Sequence, residues 1–243
     1  MEKGKKIHPW RFCPPGRHWV KIHPLHIPPS NKNPAGSETV RHEHCADNPS
    51  GKDQLYPDEI SEIANQYFLK LENMPCSIPL GFDSGNRFDS FISGWTKYWN
   101  DVLMPTEPLD PNLIKALIAS ESGFNPLELA DKKNSNSARG LTQVTNDTRK
   151  ILGNEKGELK DHYLTLTKKN LNDPNINIAA GVRWLFQKKK LAEGQLGRSV
   201  SWIEAVAKYK SVLKDYINST PKGKKNMGPF LKYLEELKSC KKT

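Results

Sequence analysis

Eight of the chain's eighteen prolines fall within residues 1–53, and that density rules out a long helix there. Each proline fixes its own φ and has no N–H to give to a helix. The first part is therefore expected to fold as turns and short strands. Past residue 53 the pattern reverses. Pro57 with Asp58 and Glu59 reads as a helix start, and Ile60, Ile63, Ala64, Tyr67, Phe68 and Leu71 recur at offsets of three and four, closing before Met74-Pro75. Phe88, Phe91, Ile92, Trp95, Trp99 and Val102 mark the face of a second helix. Asp110-Pro111 caps a third, which runs through Leu113, Ile114, Leu117, Ile118 and Glu121. Further helices are expected over 146–152, 174–191, 201–217 and 228–239. The stretch 176–186 is apolar on nearly every side, as a central buried helix is. No sustained two-residue alternation follows residue 53. The chain is thus read as a small irregular or β module, residues 1–53, ahead of a mainly α domain, residues 54–243.

Charge narrows the partners. Lys and Arg number 37 against 27 Asp and Glu, a net +10, which favours an anionic partner: nucleic acid, a membrane surface or a cell-wall polymer. With 36% hydrophobic residues and six tryptophans the chain is folded rather than disordered. No run approaches the roughly eighteen apolar residues of a membrane span. Nucleic acid is not expected, because no basic run is interleaved with aromatics and no reading motif occurs. Lysine clusters at 188–190 and 222–225 read as solvated faces or turns. The start, Met1 to Pro9, has charge but no apolar stretch behind it, so no Sec-type signal peptide is expected.

Glu121 is the candidate for chemistry. It follows Leu117 by four residues, Ile118 by three and Ile114 by seven, so it continues the apolar stripe of the third helix. A carboxylate there is partly desolvated, and desolvation favours the protonated form that a general acid needs. By position alone, an exposed glutamate closing a helix is the plainer reading. The residues that follow decide otherwise. Glu121-Ser122-Gly123-Phe124-Asn125-Pro126, then Gly140-Leu141-Thr142-Gln143-Val144, then Asn175 through Leu185, resemble in order and spacing the lytic transglycosylase family with its goose-type-lysozyme-like fold. The resemblance spans about residues 105 to 215. It implies a mainly α, lysozyme-like domain that needs no cofactor and binds peptidoglycan glycan strands. By it, Glu121 is the catalytic acid/base, Ser122 and Gln143 hold the sugar chain, and Gly140-Leu141 shapes the groove floor.

The family's late Ala-Tyr-Asn triplet, whose tyrosine orients the glutamate, corresponds here to the stretch Ala205-Val206-Ala207-Lys208-Tyr209-Lys210. Tyr209 fits, with a plain core aromatic as the alternative; Lys210 stands where asparagine is expected. A lysine beside Glu121 favours the carboxylate over the acid, unless the ammonium points toward substrate or solvent and binds an acidic group of the polymer. Such an enzyme works with one carboxylate, protonating the bridging oxygen and then deprotonating the muramyl six-hydroxyl to leave a 1,6-anhydro end. A water-using muramidase on the same fold is the runner-up, with Asp131 as its second acid, whereas Glu128 and Asp147 read as solvated. A non-catalytic murein-binding module with a decayed site is the third reading.

The first module concentrates Cys13, His18, His23, His26, His42, His44 and Cys45. A structural zinc held by Cys13, His23, His44 and Cys45, with His18 in reserve, suits a small module poor in apolar groups. A Cys13–Cys45 disulfide and plain loop histidines are the competing readings. A small Cys/His-rich module ahead of a murein-lytic domain, without a signal peptide, resembles an antibacterial effector delivered by a contact-dependent machine such as type VI secretion, or a phage wall-degrading protein. Made in the cytoplasm, such a protein acts at the wall or periplasm after non-Sec delivery. A secretion component and an immunity protein are then further expected partners.

Overall fold

The computed structural model describes residues 9–242. Residues 1–8, which carry His8 and most of the stretch read for a leader, lie outside the described residues. The remainder is mainly helical, preceded by a small region of short antiparallel strands. Its axis is α5 (Pro174–Leu196), whose N-cap Asp173 accepts from the Ile176 N–H at 3.1 Å. Burial runs almost unbroken from Asn175 to Gln187, so the central buried helix is as expected. Against it pack α1 (Pro57–Tyr67), α2 (Asp89–Leu103), α4 (Asn146–Leu152) and α6 (Trp202–Tyr209). Two tryptophans of α2 fix the crossing: the Trp95 indole donates to Asn175 Oδ1 at 2.6 Å and the Trp99 indole to the Ala179 carbonyl at 3.0 Å. Buried donors must find acceptors, so these contacts fix the orientation of aromatics that packing alone would leave free.

The third helix, α3 (Pro111–Ser122), lies between α2 and α8 (Pro221–Lys238). It buries an ion pair as well as apolar side chains. Lys115, fully enclosed, donates to Asp89 Oδ2 at 2.8 Å, to the Cys76 carbonyl at 2.7 Å and to Asn86 Oδ1 at 2.6 Å.

Three features differ from expectation. The helix expected over 201–217 is broken after Tyr209, where Ser211 adopts left-handed φ of 60°, and resumes as α7 (Leu213–Ile217). Helix α8 starts at Pro221 instead of residue 228, because Thr220 caps it by accepting from the Gly223 N–H at 3.1 Å. Its internal Pro229 is tolerated while Met227, Phe230, Leu234 and Leu237 are buried, so packing outweighs one lost helical hydrogen bond. The lysines at 222–225 are then the first turn of α8. Finally, β5 (Gln54–Leu55) pairs in parallel with β6 (Tyr163–Leu164), two residues each, too short to leave an alternation in sequence.

In the first module β1 (Arg17–Val20) pairs with β4 (His44–Asp47), and β2 (His23–Ile27) with β3 (Ser37–Arg41). Val20 faces His44 and His23 faces Arg41, so both pairs share one register and form a single antiparallel ribbon interrupted near 21–22. Its outer half is mostly exposed, whereas the residues before β1 are anchored on the helices. Trp10 is buried against Tyr67, Phe68 and Tyr98, and the Arg11 guanidinium meets the buried Glu59 carboxylate at 2.6 Å.

The expected zinc set is not assembled. Cys13 and Cys45 are bonded to each other, Cα to Cα 5.7 Å, so neither sulfur is a thiolate able to ligate metal. The histidines have separate partners: His18 Nδ1 lies 2.8 Å from Asn48 Oδ1, His23 Nδ1 3.0 Å from the Lys21 carbonyl, and His44 Nδ1 2.9 Å from the His42 carbonyl. Among the described residues no three His, Cys, Asp or Glu side chains are grouped to hold a metal ion. A second disulfide, Cys76–Cys240, ties the short turn after α8 to the connection before α2. Replacing Cys13 and Cys45 by serine is expected to cost about 2–4 kcal/mol of unfolding free energy in urea titration, because it frees a loop spanning 32 positions in the unfolded chain. Addition of a chelator to the unaltered protein is expected to leave its melting temperature in place.

Among the described residues no helix is long and apolar enough to cross a membrane.

Candidate active site

Helix α3 delivers Glu121 to the site. Asp110 caps its start, accepting from the Asn112 N–H at 2.9 Å, and Pro111 occupies the first turn, where a missing N–H costs nothing. The helix ends at Gly123 in left-handed conformation (φ 56°), and Phe124 follows in the same region (φ 62°). A side-chain-bearing residue pays for that conformation. Phe124 is held there by burial against Phe82, ring centroids 5.6 Å apart. The reversal leaves the Glu121 side chain 17% exposed.

The second element is the turn 140–144. Gly140 has φ of 74°, and a Cβ on it would run into the Leu171 carbonyl and the side chain of Asn177. Asn177 sits fully buried on α5 and uses its whole amide. Its Oδ1 accepts from the Thr142 N–H at 2.8 Å and the Thr142 hydroxyl at 2.7 Å, and its Nδ2 donates to the carbonyls of Arg139 at 3.0 Å and Leu171 at 2.9 Å. Gly181, one turn on, is pressed against Thr142 so closely that no Cβ fits. The turn is thereby fixed to the central helix. Ser122 ties it to α3 by donating to the Leu141 carbonyl at 2.8 Å. Leu141 is wholly buried, so its side chain packs into the core and does not line an open groove. Gln143, in left-handed conformation (φ 52°), donates through Nε2 to the Gly140 carbonyl at 2.8 Å.

The third element is the end of α6, which begins with a reciprocal cap between Ser201 and Glu204. The Tyr209 hydroxyl donates to the Thr142 carbonyl at 2.7 Å. Expected from the resemblance to orient the glutamate, this hydroxyl holds the turn beside it. Burial first, and the nearby charge of Glu121 next, push the Tyr209 hydroxyl well above the usual phenol range, so it stays a donor. Lys210, at the C-cap, reaches Glu121 directly, its ammonium donating to Oε1. Elements 89 positions apart in sequence are joined there.

The other acids of the region are engaged elsewhere. Asp131 is exposed and closes its own turn by accepting from the Lys133 N–H at 2.9 Å. Glu128 accepts from Asn125 Nδ2 at 2.8 Å, and Asp147 is exposed on α4 opposite Lys150.

Residues 103–226, about half of the chain, match the Transglycosylase SLT domain. The chain belongs to this family. The match takes in Glu121, the turn 140–144, Asn177, Tyr209 and Lys210, so all three converging elements lie inside the SLT domain. With the family come the lysozyme-like fold and lytic-transglycosylase-type cleavage of peptidoglycan, a reaction without a cofactor. A comparison with curated proteins finds no match. Thr142 and Asn177, the hub of the SLT site, carry no expected role in the sequence pattern. The signal was present, since an asparagine in a helix apolar all round must find buried partners.

Proposed function

We propose that this SLT-domain protein is a lytic transglycosylase that cuts the β-1,4 bond from N-acetylmuramic acid to N-acetylglucosamine with Glu121 as its only acid/base. The observation that carries this reading is one enclosed carboxylate at the junction of α3, the turn 140–144 and α6, with the neighbouring acids turned to other partners. Glu121 gives its proton to the bridging oxygen as the bond to the muramyl C1 breaks. The resulting carboxylate takes the proton of the muramyl six-hydroxyl, whose oxygen bonds to C1. Water is neither consumed nor released, and the product ends in 1,6-anhydromuramic acid. Tyr209 positions the turn, the buried Gly140 and Leu141 support it from within, and Ser122, Gln143 and Lys210 line the path of the sugar chain.

Digestion of purified murein sacculi followed by mass spectrometry tests this. Muropeptides lighter by one water than hydrolytic products are the expected outcome; fully hydrated ends would instead assign a muramidase.

We place its action outside the cytoplasm, as a wall-degrading effector or lysin. Two disulfides suit an oxidising compartment, and a net charge of +10 suits a polymer whose stems carry carboxylates. The first module, residues 1–53, is then a docking element for delivery. Lysis on export to the periplasm of a test bacterium, and none on cytoplasmic expression, is the expected result.

A further inference from the structure

We propose that Lys210 makes the enzyme select murein strands that carry a free carboxylate on the muramyl ring at the scissile bond, the group exposed when the stem peptide has been cut from the lactyl ether. This selection rests on the reading of Glu121 as the acid/base.

Lys210 is 11% exposed in its side chain and bonds the Glu121 carboxylate, so the pair is largely enclosed rather than a surface contact. The root of the lysine is fixed. Its N–H donates to the Val206 carbonyl at 2.9 Å, Tyr209 before it is held by Thr142, and Ser211 after it turns left-handed. Only the four-carbon stem can swing. During cleavage Glu121 must face the bridging oxygen, so an ammonium in contact with it lies close to the muramyl ring that carries the reacting C1. The lactyl ether is on C3 of that same ring.

With the stem attached, the lactyl carbonyl is a neutral amide; with the stem removed, it is a carboxylate. An enclosed ammonium gives up one carboxylate at little cost only when another replaces it. A neutral amide does not make that exchange. The stripped strand does, and it frees Glu121 to meet the glycosidic oxygen. The carboxylates farther along an intact stem are the other source of the same chemistry.

The experiment compares kcat/KM on two soluble glycans, one stripped by an amidase and one with stems intact, for wild type, Lys210→Asn and Lys210→Arg. Wild type is expected to prefer the stripped strand by about tenfold, the effect of one charge-assisted contact. Lys210→Asn is expected to lose that preference, through a higher KM on the stripped strand and a higher kcat on the intact one, where no ammonium then holds Glu121, and Lys210→Arg to keep most of it. Equal rates of wild type on both strands, or a preference that survives Lys210→Asn, would overturn the selection and leave the transglycosylase reading standing. A wild-type preference for intact stems that Lys210→Asn abolishes assigns the lysine to stem carboxylates and overturns it as well. Absence of cleavage of either strand by wild type removes both.

Discussion

Glu121→Gln is expected to lower murein cleavage about a hundred- to ten-thousand-fold, the range that one positioned acid or base supplies. The upper end is expected, because the same carboxyl serves as acid in the first half of the reaction and base in the second, and the neighbouring carboxylates are committed elsewhere. Glutamine keeps the size and the acceptor oxygen that Lys210 contacts, so the melting temperature is expected to stay within a few degrees. Turbidity loss of a sacculus suspension, read beside a thermal melt, separates the two effects. A variant that clears sacculi as fast as wild type would remove the acid/base role. Equal inactivity of both proteins would instead mark a binding module.

Lys115→Met is expected to destabilise the protein by about 3–5 kcal/mol at neutral pH, the cost of breaking a buried pair from one side. The methionine fills the space, but Asp89, Asn86 and the Cys76 carbonyl each lose their donor. The same change disturbs α3 two turns before Glu121, so activity is expected to fall with stability. Urea titration gives the value directly. The pair also has a pH signature. Burial, only partly offset by Lys115, pushes the Asp89 carboxyl from 3.8 up to about 6. A group bound more tightly to its proton in the folded state contributes its stability fully below pH of about 4, and that contribution is lost as pH rises through 6. Burial lowers Lys115, whose contribution is present above its ordinary 10.5 and is lost as pH falls through its folded value. Stability of Asp89→Asn relative to wild type is therefore expected to rise between pH 4.5 and 7. A constant difference would show that burial does not dominate at Asp89.

Local pattern carried much of the molecule. The three- and four-residue spacing of apolar groups marked α1, α2, α3 and α5, and the proline density marked the short strands that precede them. Glu121 was legible because it continues a helical stripe, and the three motifs around it because they follow in order. The end of α6 was not, since nothing in 201–217 announces a left-handed Ser211. The pairing of Cys13 with Cys45 was one of several readings, because a cysteine among histidines carries no local record of its partner.

The sequence by itself determined where most helices lie, which carboxylate ends an apolar face and that the charge favours an anionic partner. These depend on neighbours within a turn or two of chain, or on a sum over all residues. The tertiary structure alone decided that Tyr209 holds Thr142, that Asn177 fixes the turn beside the acid, and that Lys210 rather than Tyr209 contacts Glu121. Contacts across dozens of residues depend on where the backbone path brings two side chains, and that path is set by the packing of the whole core around α5.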